Sequence, residues 1–410
     1  MKYIIILGDG MAGHPVEALG GLTTLQAANK PAIDRLAKMG RSGMVHTVPE
    51  PYEPGSEIAN LAVLGYDIDE VFEGRGSLEA ASMGIEIEEG EMAMRCNIIT
   101  IEEEKIKNHS AGHISTEEAT ELIEYLQSEL GGGDVNFYAG VSYRHLIKIK
   151  GGNKALSCTP PHNVPGTPFR EVMIEAECEA AEATAKLLND LTLRSQELLA
   201  THPINLKRIA EGKEPANSIW AWSPGYKPAM KTLMSSYSEQ IASGSVISAV
   251  DLIKGIGVYA GLTPIEVEGA TGLYDTNYEG KTEAAIEALR NEDFVYLHIE
   301  ASDEAGHEGD HELKIRTIEY LSERAVAPIL EAAMKMDEPV RIALLPDHPT
   351  PCHLKTHTRE AVPFVIYDTR YEGDGVEKYD EVSALDGSYG ELRGAEFMEA
   401  LLEVKNNKTR

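Results

Sequence analysis

Residues 296–311 read YLHIEASDEAGHEGDH, and residues 344–358 read LLPDHPTPCHLKTHT. Each stretch begins with an apolar run that is typical of a buried strand and ends in acidic residues and histidines. Carboxylate oxygens and imidazole nitrogens at the ends of buried strands indicate a site for divalent metal ions. A polar pair on a helix and a simple turn would explain either stretch alone, but the recurrence of the pattern favours metal binding. The candidate ligands in the two stretches are Asp303, His307, Asp347, His348 and His357.

The overall composition limits the fold and the partners. The chain has 410 residues, of which 42% are hydrophobic, and this length predicts two domains or one domain with a large insertion. With 37 basic and 67 acidic residues the net charge is −30, which disfavours nucleic acids and anionic membranes as partners. An anionic substrate would therefore need local basic residues or metal ions to offset the negative background.

Neither the cysteines nor the amino terminus indicates an exported protein. The four cysteines form no C-x-x-C pair, so they predict neither a disulfide framework nor a cysteine zinc site, and reduced thiols in the cytosol are expected. The initial MKYIIILGDG contains only a short apolar run, which is neither a signal peptide nor a membrane span. We therefore expect a cytoplasmic protein.

Apolar, strand-like runs alternate with helical patterns along most of the chain. This alternation predicts an α/β core with a mostly parallel sheet, in which ligands gather at the carboxyl ends of the strands. Under this interpretation Asp9, Asp303 and Asp347 all lie at strand ends. The expected strands cover residues 3–7, 43–48, 91–101, 245–253, 265–267, 294–299, 342–345 and 362–367.

A serine opens one of the predicted helices. Residues 52–61 read YEPGSEIANL, in which a Pro-Gly turn precedes Ser56 and an apolar helical segment. A serine at a helix start is usually an N-cap. The same position also brings its hydroxyl near free backbone N–H groups and the positive end of the helix dipole, which stabilise a phosphate monoester. A neighbouring metal ion would lower the pKa of this hydroxyl and make it a nucleophile.

The sequence pattern changes between about residues 108 and 228. A capping box at 115–118 precedes an amphipathic helix, two short strands follow, and a helix rich in alanine, glutamate and leucine is expected from residue 170 to about 199. This mixed block predicts a smaller α+β domain inserted into the core. The expected boundaries are 1–107 and 229–410 for the core and 108–228 for the insertion.

The candidate ligands taken together indicate phosphoryl transfer on a small phosphorylated metabolite. Two metal ions a few ångströms apart need about seven ligands, and such a pair activates a hydroxyl and holds the phosphoryl oxygens. The seven candidates are Asp9, Ser56, Asp303, His307, Asp347, His348 and His357.

The order of these residues resembles the alkaline phosphatase superfamily. Over its whole length the chain resembles the archaeal-type branch of the cofactor-independent phosphoglycerate mutases. The motifs that carry the resemblance are ILGDGMAG, GSEIANLAVLGYD, GRGSLEAASMGI, HPINLKRIAEGKEPAN, DLIKGIGVYAGL, ASDEAGHEGD and PDHPTPC with a later THT. The resemblance implies an alkaline-phosphatase-like core, an inserted substrate-binding cap, and the interconversion of 3-phosphoglycerate and 2-phosphoglycerate in glycolysis and gluconeogenesis without bisphosphoglycerate.

The resemblance also implies a role for each ligand. Manganese is the usual ion, with magnesium, cobalt or zinc as alternatives. Ser56 would become a phosphoserine, the glycerate would re-orient in the site, and the phosphate would return to its other hydroxyl while cap closure excludes water. One ion would be held by Asp303, His307 and His357, and the other by Asp9, Ser56, Asp347 and His348.

The cap departs from the family pattern, which leaves the substrate open. Residues 108–114 read NHSAGHI where archaeal-type mutases read like DRRAGRI, and residues 219–225 read IWAWSPG where the family tends to have an R-G-x-G motif. Histidine or serine does not replace a bidentate arginine, and the altered cap resembles a bacterial subgroup proposed to act as a homoserine kinase. The alternatives are therefore a homoserine kinase-like phosphotransferase, a metal-dependent phosphatase and a non-catalytic binding protein. The basic residues expected to bind the substrate are Arg75, Arg95, Arg144 and Lys254.

Overall fold

The computed structural model describes residues 1–404, which form two compact units. The first unit contains Met1–Phe72 and the described chain from Ala229 onward, and the second contains Glu73–Pro228. The return to the first unit occurs where the sequence predicts it. The second unit, however, begins at Glu73 rather than near residue 108, because the long strand at Glu91–Glu102 pairs with strands of the second unit.

The strands and helices are numbered in chain order. The strands are β1 (Lys2–Gly8), β2 (Arg41–His46), β3 (Glu91–Glu102), β4 (Lys105–Asn108), β5 (Val135–Tyr138), β6 (Arg144–Lys150), β7 (Leu156–Ser157), β8 (Glu175–Ala176), β9 (Ser218–Gly225), β10 (Gly244–Ile247), β11 (Thr263–Pro264), β12 (Phe294–Ile299), β13 (Val340–Leu345), β14 (Val362–Asp368) and β15 (Gly390–Arg393). The α-helices are α1 (Thr24–Ala27), α2 (Pro31–Met39), α3 (Ser56–Val63), α4 (Ile68–Val71), α5 (Arg75–Ser82), α6 (Thr116–Leu130), α7 (Glu182–Leu199), α8 (Pro203–Ala210), α9 (Leu233–Ser236), α10 (Asp251–Tyr259), α11 (Tyr278–Asn291), α12 (Ala301–Glu308), α13 (His311–Tyr320), α14 (Ala327–Ala333) and α15 (Glu396–Leu402). Short 3₁₀ turns lie at Glu17–Leu19, Pro161–Asn163, Phe169–Val172, Glu179–Ala181 and Ser383–Asp386, and a π-helical turn lies at Leu321–Val326.

The first unit is built on an eight-stranded sheet with the order β11-β10-β12-β1-β13-β14-β2-β15. Strands β11, β10, β12, β1 and β13 run parallel, whereas β14 is antiparallel to both of its neighbours. Residues 4–7 of β1 are completely buried, as expected for a strand covered on both faces. The mostly parallel α/β core predicted from the sequence is confirmed. Because β12, β1 and β13 are adjacent and parallel, the residues that follow them meet at one edge of the sheet.

The second unit has a separate antiparallel sheet. Strand β3 pairs with β4, β6 and β9, and β5 extends the sheet beyond β6. Helices α6 and α7 supply buried leucines to the core of this unit, including Leu122, Leu126 and Leu188. A small α+β unit is thus present, and it contains β3 in addition to the block predicted from the sequence.

Three of the predicted elements are wrong. The strand expected at 245–253 ends at Ile247, and residues 251–253 are the start of α10. The helix expected from residue 170 to about 199 forms only at Glu182–Leu199, because Asn189 hydrogen-bonds to both the N–H and the C=O of Ile174 and keeps that segment out of the helix. The strand expected at 265–267 lies instead at Thr263–Pro264, where it pairs with β10.

Within residues 1–404, the helices lack the combination of length and apolar character that is needed to cross a bilayer.

Candidate metal centre

Asp9 directly follows β1 and is almost fully buried. Its position is fixed by its own N–H, which donates to Ile299 O at 2.9 Å, and by the Ser302 hydroxyl, which donates to Asp9 O at 2.6 Å. The next residue, Gly10, has φ +61°, and a Cβ there would lie 2.5 Å from Asp303 Oδ1. Only glycine therefore allows the Asp9 turn to approach Asp303 this closely.

Asp303 and His307 lie one turn apart on α12, which begins two residues after β12. His307 Nε2 lies 3.2 Å from Asp303 Oδ2, and its Nδ1 lies 3.0 Å from Lys355 O. His357 lies in the loop that follows β13; its Nε2 is 3.4 Å from Asp303 Oδ1 and its Nδ1 is 3.3 Å from Pro54 O. A carbonyl oxygen can only accept a hydrogen bond, so Nδ1 of each ring donates to it. This leaves Nε2, the nitrogen that faces Asp303, as the atom of each ring that could bind a cation.

Asp347 and His348 follow β13 and are both completely buried. Asp347 Oδ1 accepts hydrogen bonds from the N–H groups of Gly10 at 3.1 Å and His348 at 2.9 Å. Nearby, the Thr350 hydroxyl donates to Asp303 Oδ1 at 2.5 Å and lies 3.3 Å from His348 Nδ1. The turns after β1, β12 and β13 are therefore joined to one another through backbone and side-chain contacts.

The structure brings these side chains together in two groups. In each group, one potential ligand atom from every member lies within 4.8 Å of the others. The first group consists of Asp303, His307 and His357, and the second consists of Asp9, Asp347 and His348. The family resemblance implies the same two groups, with Ser56 as an additional member of the second.

Ser56 is the first residue of α3, and Gly55 occupies the N-cap position without a side-chain cap. The Ser56 hydroxyl lies 3.2 Å from His348 Nε2. The ordinary explanation for this serine, an N-cap, is therefore wrong, because the hydroxyl points to the second group of ligands instead of to the N–H groups of its own helix.

The pKa values of Asp9 and Asp303 are shifted in opposite directions. Burial, with Asp347 and Asp303 close by, raises the pKa of Asp9 well above its ordinary value. Burial also opposes ionisation of Asp303, but hydrogen bonds from His307 and His357 outweigh it and hold the pKa of Asp303 well below the usual range. In the metal-free protein the ionised form is therefore disfavoured at Asp9 and favoured at Asp303.

The donor atoms fit divalent cations. Asp9 Oδ1 is buried and makes no hydrogen bond in the described structure, although Asp9 Oδ2 is engaged by His298 Nε2 at 2.8 Å. A buried carboxylate oxygen without a partner is rare unless a missing group completes its surroundings. Oxygen and imidazole donors without thiolate suit manganese, magnesium, cobalt or zinc, and they do not single out one of these.

Three of the four basic residues expected to bind the substrate, Arg75, Arg95 and Arg144, lie near one another in the second unit. Arg95 is buried, its guanidinium lies 4.4 Å from the centre of the Trp222 ring, and its Nε is 3.1 Å from Glu79 Oε2. Burial is the main reason that the pKa of Arg95 is lowered to about 10; the charges of Arg75 and Arg144 act in the same direction, and Glu79 opposes them.

The fourth basic residue, Lys254, belongs to the first unit. Its amine donates to both carboxylate oxygens of Glu266, at 2.7 and 2.8 Å, so its charge is already balanced.

Lys314 is a further buried residue that supports the turns carrying the candidate ligands. Its side chain is completely buried, and its Nζ donates to Ala12 O at 2.9 Å and to Thr350 O at 2.7 Å. The lysine therefore ties the turn after β1 to the turn after β13. Lys314 lies three residues beyond the quoted stretch 296–311. The sequence did not indicate that it is buried, because a lysine on a helix is usually exposed.

Comparisons with known proteins agree with this architecture. The family model described as 2,3-bisphosphoglycerate-independent phosphoglycerate mutase matches residues 37–205. The protein of that name from Methanosarcina mazei is 49% identical over 98% of this chain and 100% of its own length.

Two solved structures are similar over nearly the full length of both chains. The PH0037 protein from Pyrococcus horikoshii has a TM-score of 0.83 and 27% identity, covering 100% of this chain and 99% of that one. The cofactor-independent phosphoglycerate mutase from Thermoplasma acidophilum has a TM-score of 0.68 and 25% identity, covering 98% and 100%. From its sequence identity over essentially the full length, the chain belongs to the 2,3-bisphosphoglycerate-independent phosphoglycerate mutase family.

Proposed function

We propose that this protein is an isomerase that interconverts 3-phosphoglycerate and 2-phosphoglycerate without bisphosphoglycerate, through a phosphoserine at Ser56. The observation that carries the proposal is the Ser56 hydroxyl, which lies 3.2 Å from His348 Nε2 and is not used as a helix cap. Family membership supports the substrate, since the Methanosarcina mazei relative is named a phosphoglycerate mutase.

The serine and its surroundings would carry out two consecutive transfers. The Ser56 oxygen forms a bond to phosphorus as the bond between phosphorus and the 3-oxygen of the substrate breaks. The serine hydroxyl loses its proton in this step, and the 3-oxygen of the glycerate gains one. The 2-hydroxyl of the retained glycerate then takes the phosphoryl group, and Ser56 recovers its proton. The transfer is internal, so no external phosphate donor is consumed.

The two ligand groups would hold the cations that this chemistry needs. When bound, the cations offset the charge of the phosphoryl oxygens and lower the pKa of the serine hydroxyl. We propose Mn²⁺ as the usual ion, on the basis of the family resemblance. His348 contributes because burial lowers its pKa and leaves its imidazole neutral, which is the form that binds cations.

We propose that the arginines of the second unit bind the parts of the substrate that do not react. Among the described residues, Arg75 Nε is buried and makes no hydrogen bond, and Arg144 is close enough to Arg95 to affect its pKa. The Nε of Arg95 is paired with Glu79 at 3.1 Å, which leaves the other guanidinium nitrogens for a substrate. Such a group of cations suits the carboxylate and phosphate of phosphoglycerate, against the overall charge of −30. By this proposal the first unit is the metal-binding core and the second is the substrate-binding unit. Lys254 remains a weaker candidate because of its bond to Glu266.

A direct assay tests the proposal. Protein loaded with Mn²⁺ is given 3-phosphoglycerate without bisphosphoglycerate, and 2-phosphoglycerate is measured by a coupled enolase reaction. We expect sustained formation of 2-phosphoglycerate. Release of inorganic phosphate alone would favour the phosphatase alternative, and phosphorylation of homoserine in a parallel assay would favour the kinase alternative. Absence of 2-phosphoglycerate from a folded, Mn²⁺-loaded sample contradicts the proposal.

Cation binding at the group that contains His307 should strengthen as the pH rises. The hydrogen bond with Asp303 raises the pKa of His307 to about 9 in the metal-free protein, so this imidazole is protonated at neutral pH. A cation must displace the proton, and the apparent affinity should therefore rise about tenfold per pH unit up to the pKa and then level off. Calorimetric titration with Mn²⁺ in buffers of different ionisation enthalpy should detect proton release at neutral pH. Binding without proton release would contradict this expectation.

A further inference from the structure

Asn60 connects the proposed nucleophile to a proposed cation ligand. It is completely buried on α3, one helical turn after Ser56. Its Nδ2 donates to Ser56 O at 2.8 Å and to Asp347 Oδ2 at 3.0 Å. A single amide group thus bonds both to the residue that carries the reactive hydroxyl and to a carboxylate that follows β13.

Tyr296 fixes the orientation of this amide. The Tyr296 hydroxyl lies 2.5 Å from Asn60 Oδ1, and both residues are buried. Since Ser56 O and the Asp347 carboxylate can only accept hydrogen bonds, the NH₂ group must face them, and the Tyr296 hydroxyl must then donate to Oδ1. Burial and the nearby Asp347 raise the pKa of Tyr296 well above its ordinary value, so the hydroxyl keeps the proton that it donates.

These bonds determine which part of Asp347 remains available to a cation. Its Oδ1 already accepts two backbone N–H groups, from Gly10 and His348. Its Oδ2 accepts the amide of Asn60, which leaves this oxygen one lone pair. Without Asn60, Asp347 Oδ2 would lose the hydrogen bond that fixes its position, although Oδ1 would keep its two backbone donors, and Ser56 O would lose its bond to the same amide.

We infer that Asn60, oriented by Tyr296, is a positioning residue that aligns Asp347 with Ser56 for cation binding in the group formed by Asp9, Asp347 and His348. The inference rests on the proposed function and adds a residue that the sequence analysis did not identify. Hydrogen-bond partners that orient ligands in this way typically change metal affinity by 10- to 100-fold.

The other ligand group provides an internal comparison. Asp303 is bonded to Thr350, and the two histidines of that group contact the carbonyl oxygens of Lys355 and Pro54. The hydrogen bonds described for Asn60 and Tyr296 reach none of these residues. A loss of Asn60 that acts through Asp347 should therefore affect one cation site and spare the other, whereas a general loosening of the fold should affect both.

The test is a titration with Mn²⁺ in which the free ion is measured by electron paramagnetic resonance. The wild-type protein should bind two ions, and Asp303→Asn should identify which binding event belongs to the other group. Asn60→Ala should weaken the site of Asp9 by 10- to 100-fold and leave the Asp303 site unchanged. In the Asp303→Asn background, Asn60→Ala should weaken the single remaining site by the same factor.

Matched buried residues in the rest of the chain serve as controls. Asn205 is also completely buried, with its amide bonded to Leu199 O and Ala216 O, so Asn205→Ala should leave both Mn²⁺ affinities unchanged. Tyr379 is a buried tyrosine that donates to Pro363 O, and Tyr379→Phe is the control for Tyr296→Phe. Tyr296→Phe removes only the hydroxyl and tests the inference even where Asn60→Ala does not fold; it should weaken the same site selectively.

The outcomes separate this inference from the proposed function. Wild-type protein that binds no Mn²⁺ would contradict the proposed function. If the wild type binds two ions, and the Asn60 and Tyr296 variants bind them with the same affinities as the wild type, only the positioning role is overturned. An equal loss at both sites would also overturn it, because that result indicates a structural role.

Discussion

Replacing Ser56 with alanine should lower the rate of 2-phosphoglycerate formation by roughly 10⁴-fold or more, as expected when a covalent nucleophile is removed. The fold should be unaffected, because Gly55 and not Ser56 occupies the N-cap of α3, and alanine is a strong helix former. Circular dichroism and thermal unfolding should therefore match the wild type. The measurement is the coupled enolase assay on Mn²⁺-loaded protein.

Ser115→Ala is the matched control. Ser115 is a true N-cap, since its side chain accepts a hydrogen bond from the N–H of Glu118 at the start of α6. Its replacement should cost about 1 kcal/mol of stability and leave turnover intact, the reverse of the Ser56 result. Acid quenching during turnover, followed by peptide mass spectrometry, should detect phosphate on Ser56 in the wild type. Full turnover by Ser56→Ala would contradict the phosphoserine mechanism.

Removal of divalent cations should abolish activity while leaving a folded protein. Without a cation, burial and the neighbouring carboxylates disfavour ionisation of Asp9, and Asp9 Oδ1 has no hydrogen-bond partner among the described residues, so the second ligand group is electrostatically incomplete. Dialysis against a chelator should reduce turnover to background, and Mn²⁺ should restore it. At a hundredfold excess over the dissociation constant, a bound ion should add about 2.7 kcal/mol to the free energy of unfolding.

The stabilisation by cations should grow with pH. The folded-state pKa is raised above the unfolded value for Asp9, for Glu300 (to about 8, mainly by burial) and for His307 (to about 9, mainly by Asp303). Each of these groups therefore stabilises the metal-free fold at low pH, and that contribution is lost as the pH rises. For Glu300 the loss occurs between pH 4.5 and about 8, and for His307 it occurs between pH 6.5 and about 9.

Thermal unfolding with chelator and with Mn²⁺ measures this effect. The difference between the two midpoints should be small near pH 5 and should widen toward pH 8. Asp347→Asn, which removes a ligand charge from the Asp9 group, should reduce the difference. Equal midpoints with chelator and Mn²⁺ at every pH, or retained turnover in the chelated protein, would contradict a cation-dependent site.

The local sequence was sufficient to select the candidate ligands because their positions follow from simple patterns. An apolar strand followed by an acid places that acid at a sheet edge, and the i,i+4 spacing of Asp303 and His307 puts both on one face of a helix. The parallel core could therefore be expected from these patterns, whereas the division of the candidate ligands into two groups came from the family resemblance. The boundary of the second unit could not, because the pairing of β3 depends on strands more than 40 residues away in sequence.

The sequence by itself determined the fold class, the family and the seven ligand candidates, because strand and helix periodicity and short motifs are local properties of the chain. Only the tertiary structure decided how these residues are oriented. It showed that the Ser56 hydroxyl faces His348 rather than its own helix, and that Lys314 joins two of the turns that carry ligands. It also showed Asn60 between Ser56 and Asp347, with Tyr296 behind it. These contacts join residues far apart in sequence, and a hydrogen bond depends on distances and angles that exist only after the strands have paired.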